Sequence, residues 1–447
     1  MKCYTPICDF VKEYSKRLPT RFHMPGHKGK QFIGLENRDI TEIEGADVLY
    51  CPSGIIEQSQ QITTDIFGTA NTYFSTEGSS LCIRAMLYIA LKNNTVNGNP
   101  YILACRNAHK VFVTTCALLG IDVSWLYGEE NELCSTNITP QMLEGYLATA
   151  TQKPIAVYVT TPDYLGNLLD VKGLASVVRK YGVPLICDNA HGAYLKFTNP
   201  SMHPIDLGAD MCCDSAHKTL PCLTGGAYLH ISKTAPQSFK DTALEGLSIF
   251  SSTSPSYLIL QSLDNLNELI TFHLAKKIAD TCQTIKDYKA QITALGWQLV
   301  GSEPFKITLS TKQYGYTGVE IASILKERNI IVEYADVDYI VMMISTETTK
   351  NELAMLLDCL RGVKKKRAIK DTPPTTLPKK QSIPLNKAMF MQSESIPVKK
   401  CLGRVCATPQ VSCPPAIPVV VYGEEIDKNA IEIFKYYDIK TVCVIKK

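Results

Sequence analysis

The sequence predicts an α/β fold in which a mostly parallel sheet is covered by helices and followed by a smaller α/β unit. Three observations carry that expectation. Between about residues 101 and 230, short apolar runs alternate with helix-like segments, the pattern of parallel strands joined by crossover helices. Two of these runs, residues 183–187 and 209–213, stop abruptly at Asp188-Asn189-Ala190-His191-Gly192 and Asp214-Ser215-Ala216-His217-Lys218. Open α/β sheets present their ligands at such strand ends. From Gly296 to Gly362 the segments shorten and a second strand–helix pattern begins.

The whole chain sets the bounds. Its 447 residues allow two or three domains, and 45% hydrophobic residues suit a globular core. With 46 basic and 43 acidic residues the net charge is +3, which gives no sign of a nucleic-acid partner. Met1-Lys2-Cys3-Tyr4-Thr5-Pro6 lacks the apolar core of a signal peptide, and no apolar run reaches the ~18 residues of a membrane span. A cytoplasmic location without membrane contact is therefore expected. The 17 cysteines are odd in number, scatter from Cys3 to Cys443 and form no Cys-x-x-Cys pair, so they read as reduced thiols and no metal site is predicted.

In chain order, residues 7–18 read as a short amphipathic helix. It leads into a Gly- and Pro-dense loop containing His23-Met24-Pro25-Gly26-His27-Lys28-Gly29. The run Thr76-Glu77-Gly78-Ser79-Ser80 opens an apolar helix over residues 81–91, and its glycine and hydroxyls suit a phosphate at a helix start as well as an ordinary N-cap. Residues 101–104 read as a strand that ends in Cys105-Arg106-Asn107-Ala108-His109-Lys110. Strand-like 121–126, helical 139–150, strand-like 154–160 and helical 171–181 follow, and they feed the Asp188 strand. Residues 223–230 read as a strand leaving Lys218, and the hydroxyl run Ser251-Ser252-Thr253-Ser254 precedes a long helical region. In the smaller unit, 305–309, 330–334 and 339–344 read as strands and 319–327 as a helix. Charge and proline after Val363 read as a linker.

A lysine and an aspartate at the ends of two neighbouring strands point to one cofactor held by both. Pyridoxal 5'-phosphate needs a lysine for a Schiff base and a carboxylate for its ring nitrogen. Taken singly, a lysine or aspartate after a strand is more often a solvated loop or turn residue. The combination with Ser215, His217, His191 and the Gly78-Ser79-Ser80 helix start is what favours the cofactor.

Ser215-Ala216-His217-Lys218-Thr219-Leu220-Pro221, Asp188-Asn189-Ala190-His191-Gly192-Ala193 and the His23–Gly29 run together resemble the Orn/Lys/Arg decarboxylase family. The likeness covers several segments between about Arg21 and Asp264, and a C-terminal piece that includes Cys413-Pro414-Pro415-Ala416 and Tyr422-Gly423-Glu424. It implies the pyridoxal-phosphate transferase fold type I, with a C-terminal decarboxylase-type domain. It also implies decarboxylation of lysine, arginine or ornithine to a polyamine-pathway amine. Lys218, Asp188 and His109 would be catalytic, His109 stacking on the ring. Gly78, Ser79, Ser80, His191, Ser215, His217 and Thr253 would complete the cofactor site, with Ser252 and Thr253 reaching a neighbouring subunit of a homodimer or larger homo-oligomer. Glu424 would meet the substrate's distal cation, against the plainer expectation of a solvated helix start. Glu77, Val111, Ala416 and Tyr422 depart from the family pattern, and Glu77 would have to face away from a phosphate.

The cofactor itself supports other reactions, so the alternatives are another amino-acid enzyme of the aminotransferase-like kind and a cofactor-binding regulator without turnover. The expected division is an N-terminal segment (1–30), a cofactor-binding large domain (31–295), a small α/β domain (296–365), a linker (366–382) and a C-terminal domain (383–447).

Overall fold

The structure, a computed structural model, describes residues 4–128, 131–412 and 417–447. Cys3 and the Cys413–Ala416 part of the C-terminal motif lie outside the described residues. The chain folds as two compact units, each discontinuous in sequence. One takes the chain up to Asn93 together with Ile186–Ala279, the other Asn94–Leu185 and Asp280–Lys447.

In the first unit, strands lie side by side in the order Asn71–Ser75, Ala227–Ile231, Met211–Asp214 and Leu185–Asp188. The last two run parallel with Asp188 opposite Cys213, and the other neighbours pair antiparallel. Leu185–Asp188, Met211–Asp214 and Ala227–Ile231 are buried along their whole length. Their runs are mainly apolar, apart from Asp188, Asp214 and His230, because both faces are covered. Helix Gly78–Lys92 turns Leu81, Ile83, Met86 and Leu87 inward and packs on helix Gln237–Phe250. Helix Pro6–Lys16 has no cap from its own N-cap residue Thr5. Its Cys8 N–H instead donates to the Asp264 carboxylate at 2.8 Å, on helix Tyr257–Leu269.

In the second unit, Ala156–Thr160, Tyr101–Cys105 and Asp122–Leu126 form a parallel set. Helices Lys110–Leu119, Pro140–Thr149 and Val171–Tyr181 accompany it. The helix-covered, mostly parallel architecture expected from the alternation is the one the chain adopts. A four-stranded antiparallel sheet follows, ordered Gln298–Val300, Lys306–Ser310, Tyr339–Met343 and Tyr334–Ala335. The strand expected over 330–334 shrinks to this last two-residue piece at the sheet edge, and Ile331 stands exposed before it. Residues 364–380 carry no helix or strand. They are nonetheless pinned, with Lys366 N–H on the Tyr314 carbonyl and Ile369 N–H on the Lys312 carbonyl.

C-terminal helix Lys428–Tyr436, capped by the Asp427 side chain, buries Ile433 and Phe434 in a cluster with Val398, Val419, Val442 and Val444. Each such side chain is worth about 1.5–3 kcal/mol of burial. Among the described residues no helix is long and apolar enough to cross a membrane, and the cysteines are free thiols.

Candidate active site

Parallel pairing of Leu185–Asp188 with Met211–Asp214 brings the two polar strand ends out at the same edge. Beyond Asp214 the chain winds one helical turn, Ala216–Thr219. The turn is fixed by Lys218 N–H on the Ser215 carbonyl at 3.0 Å and His217 N–H on the Gly226 carbonyl at 3.2 Å. Lys218 is half-buried, and its Nζ lies 2.9 Å from His191 Nε2. Asp188 is buried, and its Oδ1 accepts the Ala190 N–H at 3.1 Å and the Cys213 thiol at 3.6 Å. His217 Nδ1 meets the Gly226 carbonyl at 2.9 Å, and burial pulls this imidazole's pKa down.

The hydroxyl-rich helix start closes on the same turn. Ser215 Oγ donates to Ser79 Oγ at 2.8 Å, so two residues far apart in sequence share one hydrogen bond. Gly78 opens the helix at φ +71°, a left-handed conformation suited to glycine, and a Cβ there would meet nothing within 4 Å. Its N–H is used by the Gly225 carbonyl at 2.8 Å. Glu77 is the N-cap residue, yet its side chain does not cap the helix. Its Oε1 accepts the Ser252 N–H at 2.8 Å instead, so this carboxylate is turned to the 251–254 loop. Ser252, Thr253 and Ser254 are exposed.

His109 and Glu424 belong to the second unit. His109 caps helix Lys110–Leu119, its Nδ1 accepting the Val111 N–H at 3.2 Å. Glu424 is only 1% exposed, which rules out the solvated helix start. Its Oε2 accepts the Val421 N–H at 2.8 Å and Arg106 Nη2–H at 3.2 Å. Arg106 also donates to the Val419 carbonyl at 2.9 Å and stacks over Trp125. Burial raises the Glu424 pKa against the opposing pull of Arg106. Sequence reasoning gave Arg106 no role, although it stands in the quoted Arg106–Lys110 run.

The N-terminal histidines are also placed. His23 Nε2 lies 2.6 Å from Tyr14 Oη, and His27 Nε2 lies 3.2 Å from Asp39. Both are held by partners near them in sequence.

An amine, a buried carboxylate and a helix start with hydroxyls but no side-chain cap fit pyridoxal phosphate. Within the α/β folds, that arrangement is the ground plan of the fold type I pyridoxal-phosphate enzymes. Residues 5–307 match the Orn/Lys/Arg decarboxylase major domain, and residues 365–443 match the C-terminal domain of the same family. The chain belongs to the Orn/Lys/Arg decarboxylase family, pyridoxal-phosphate-dependent enzymes that decarboxylate basic amino acids. It is 30% identical to an arginine decarboxylase of Bacillus subtilis, over 97% of this chain and 94% of that one. An arginine decarboxylase of Bacillus anthracis is 27% identical over 96% and 92% of the two chains. Among solved structures, a lysine decarboxylase of Francisella novicida shares the fold with a TM-score of 0.82 at 16% identity, covering 99% of this chain and 81% of that one.

Proposed function

We propose that this chain decarboxylates L-arginine, with pyridoxal phosphate held at Lys218. The near full-length match to arginine decarboxylases favours arginine over lysine and ornithine. The observation that carries the site is the pairing of Asp188 with Cys213 across parallel strands, which sets a carboxylate beside the lysine-bearing turn. When bound, pyridoxal phosphate supplies a ring that accepts the electrons left by the departing carboxylate.

Lys218 would hold the cofactor through its Nζ, and His191 Nε2, 2.9 Å away, would hold or return the proton of that amine. Asp188 would keep a proton on the ring nitrogen, because an anion raises the pKa of a neighbouring cation. Ser79, Ser80, Ser215 and the helix-start N–H groups that follow Gly78 would hold the phosphate. Gly78 would leave room for it and His217 would support the turn, and by resemblance to the family His109 would be the ring-stacking residue. Thr253 would reach the site of a second copy in a homodimer. The domain limits at residues 31, 296, 366 and 383 form part of the same proposal.

Glu424 would take the guanidinium end of the substrate, and Glu424→Gln would then raise KM about 10-fold or more with cofactor absorbance unchanged. Arg106 at 3.2 Å favours a second reading, an internal ion pair. On that reading the same substitution lowers stability and leaves KM unchanged.

The test is to assay carbon dioxide and amine from arginine, lysine and ornithine separately. The proposal expects agmatine from arginine as the main product. A preference for lysine or ornithine refutes the substrate, and borohydride labelling of a lysine other than Lys218 refutes the site.

A further inference from the structure

Asp214 ends the strand that leads into the Lys218 turn, and its carboxylate is fully buried. Four side chains close on it, the Cys212 thiol donating to Oδ1 at 3.6 Å beside three N–H donors. Asn189 Nδ2 donates to Oδ1 at 2.6 Å. His203 Nε2 and His230 Nε2 donate to Oδ2 at 3.0 and 3.1 Å. The other ring nitrogens fix these protons. His203 Nδ1 accepts the Ile205 N–H at 3.4 Å, so its proton sits on Nε2. His230 Nδ1 lies 2.9 Å from Thr72 Oγ1, a hydroxyl able to donate to it. Both rings are fully buried.

His203, Asp214 and His230 also place their ligand atoms within 4.8 Å of one another, as a cation site would. The hydrogen bonding assigns them otherwise. A metal on His203 Nε2 would move the ring proton to Nδ1, where it would face the Ile205 N–H. Burial alone would push the Asp214 pKa up, yet the two imidazoles outweigh it and hold the carboxyl well below the usual range. The group is a buried anion met by three N–H donors.

Its place in the chain gives this anion a use. Asn189 directly follows Asp188, and Asp214 directly precedes Ser215, so the 2.6 Å bond ties together the two strand ends that carry the candidate catalytic groups. The backbone repeats the tie, with Asn189 N–H on the Cys213 carbonyl at 3.0 Å. We propose that Asp214 is a positioning residue, held by His203 and His230, which fixes through Asn189 the spacing between Asp188 and Lys218. The inference rests on the cofactor assignment above. A carboxylate is required because it offers acceptors on both oxygens, whereas the amide of Asp214→Asn would turn N–H groups toward other donors.

The experiment uses holoenzyme of wild type, Asp214→Asn and Asn189→Ala. Visible circular dichroism of the bound cofactor reports how the ring is held, independently of turnover. In Asp214→Asn this signal should fall about 2-fold or more, and kcat about 10-fold or more with KM within about 2-fold. Borohydride should still label Lys218 in this variant. Asn189→Ala cuts only the tie and should move the dichroism and kcat in the same direction. Variants that melt earlier but keep wild-type dichroism and kcat would reduce Asp214 to a stabilising residue and overturn the proposal. If Asp214→Asn fails to fold, Asn189→Ala decides on the same readouts. Stoichiometric zinc in purified wild-type protein would overturn the hydrogen-bond assignment. Failure to label Lys218 in the wild type would strike the cofactor assignment instead, whereas a labelled wild type with unmoved variants strikes the positioning role alone.

Discussion

Asp188 is oriented by its own strand end, since the Ala190 N–H at 3.1 Å holds Oδ1 in place. Asp188→Asn preserves that geometry and removes the charge. The variant should retain cofactor absorbance while kcat falls about 100-fold or more, the scale of losing one preorganised electrostatic partner. Wild-type turnover would leave Asp188 as a turn residue. Residues of this kind were legible because strand ends and motif company mark them in one dimension. Ser79 and Ser215 both stand out by their motifs, although their 2.8 Å contact spans 136 positions and leaves no local trace. The roles of Asn189, Asp214, His203 and His230 leave no such mark, because a buried polar residue is explained by its partners and those lie on four separate segments. A weaker signal existed: two titratable residues, Asp214 and His230, sit within or at the end of apolar runs, where a charge without a partner is costly.

Helix Pro6–Lys16 takes its cap from Asp264, and that carboxylate also accepts the Ser59 hydroxyl at 2.6 Å. Burial raises the Asp264 pKa from 3.8 to about 6. Between about pH 4 and 6 the folded protein therefore binds the proton that the unfolded chain has released, so stability falls as pH rises through this window and levels off above it. The whole effect is at most about 3 kcal/mol, since one pKa unit is worth about 1.4 kcal/mol. Urea midpoints of wild type and Asp264→Asn across pH 4–7 check the sign, and the variant should lose this contribution to the slope. Equal slopes would show that Asp264 does not titrate there. The same contacts explain a missed element. Helix Ile55–Phe67 buries Ser59, Gln60, Thr63 and Thr64 alongside Ile56 and Phe67, so apolar periodicity alone does not reveal it. The alternating helices and strands of residues 101–188 were readable because their inward faces are almost wholly apolar.

At the scale of the whole molecule, the C-terminal region depends on one backbone position. Gly423 has φ +78°, and a Cβ there would stand 1.9 Å from the Ile383 carbonyl oxygen. Gly423→Ala should cost about 3 kcal/mol or more through strain and collision, read as a lowered melting temperature. An unchanged melting temperature would mean that the 381–383 segment shifts freely. The motif pattern marked this glycine, but the reason for it lies in a strand-like segment some forty residues earlier in the chain.

Self-association is a further whole-molecule expectation. The segment that carries the N-terminal His23–Gly29 motif exposes Phe22, Met24, Phe32 and Ile33, at 94%, 63%, 76% and 82%. Large apolar side chains this exposed on one short stretch mark an interaction surface. Ser252, Thr253 and Ser254 also face solvent, and the Ser252 N–H is fixed by Glu77 at 2.8 Å, so the hydroxyl loop is presented on a held backbone. The proposed homodimer, whose copies exchange Thr253, would make use of that loop. Lys218→Ala and Thr253→Ala chains should each be inactive as homodimers, Thr253→Ala through weakened phosphate binding. Mixed and allowed to exchange, they form hybrids in which one site receives Lys218 from one copy and Thr253 from the other. Random pairing makes about half of the dimers hybrids, each with one intact site, so activity should recover to about a quarter of the wild-type value. Differently tagged chains and tandem purification isolate the hybrids before assay. A fully active Thr253→Ala homodimer removes Thr253 from the site, and inactive, verified hybrids refute a site shared between copies.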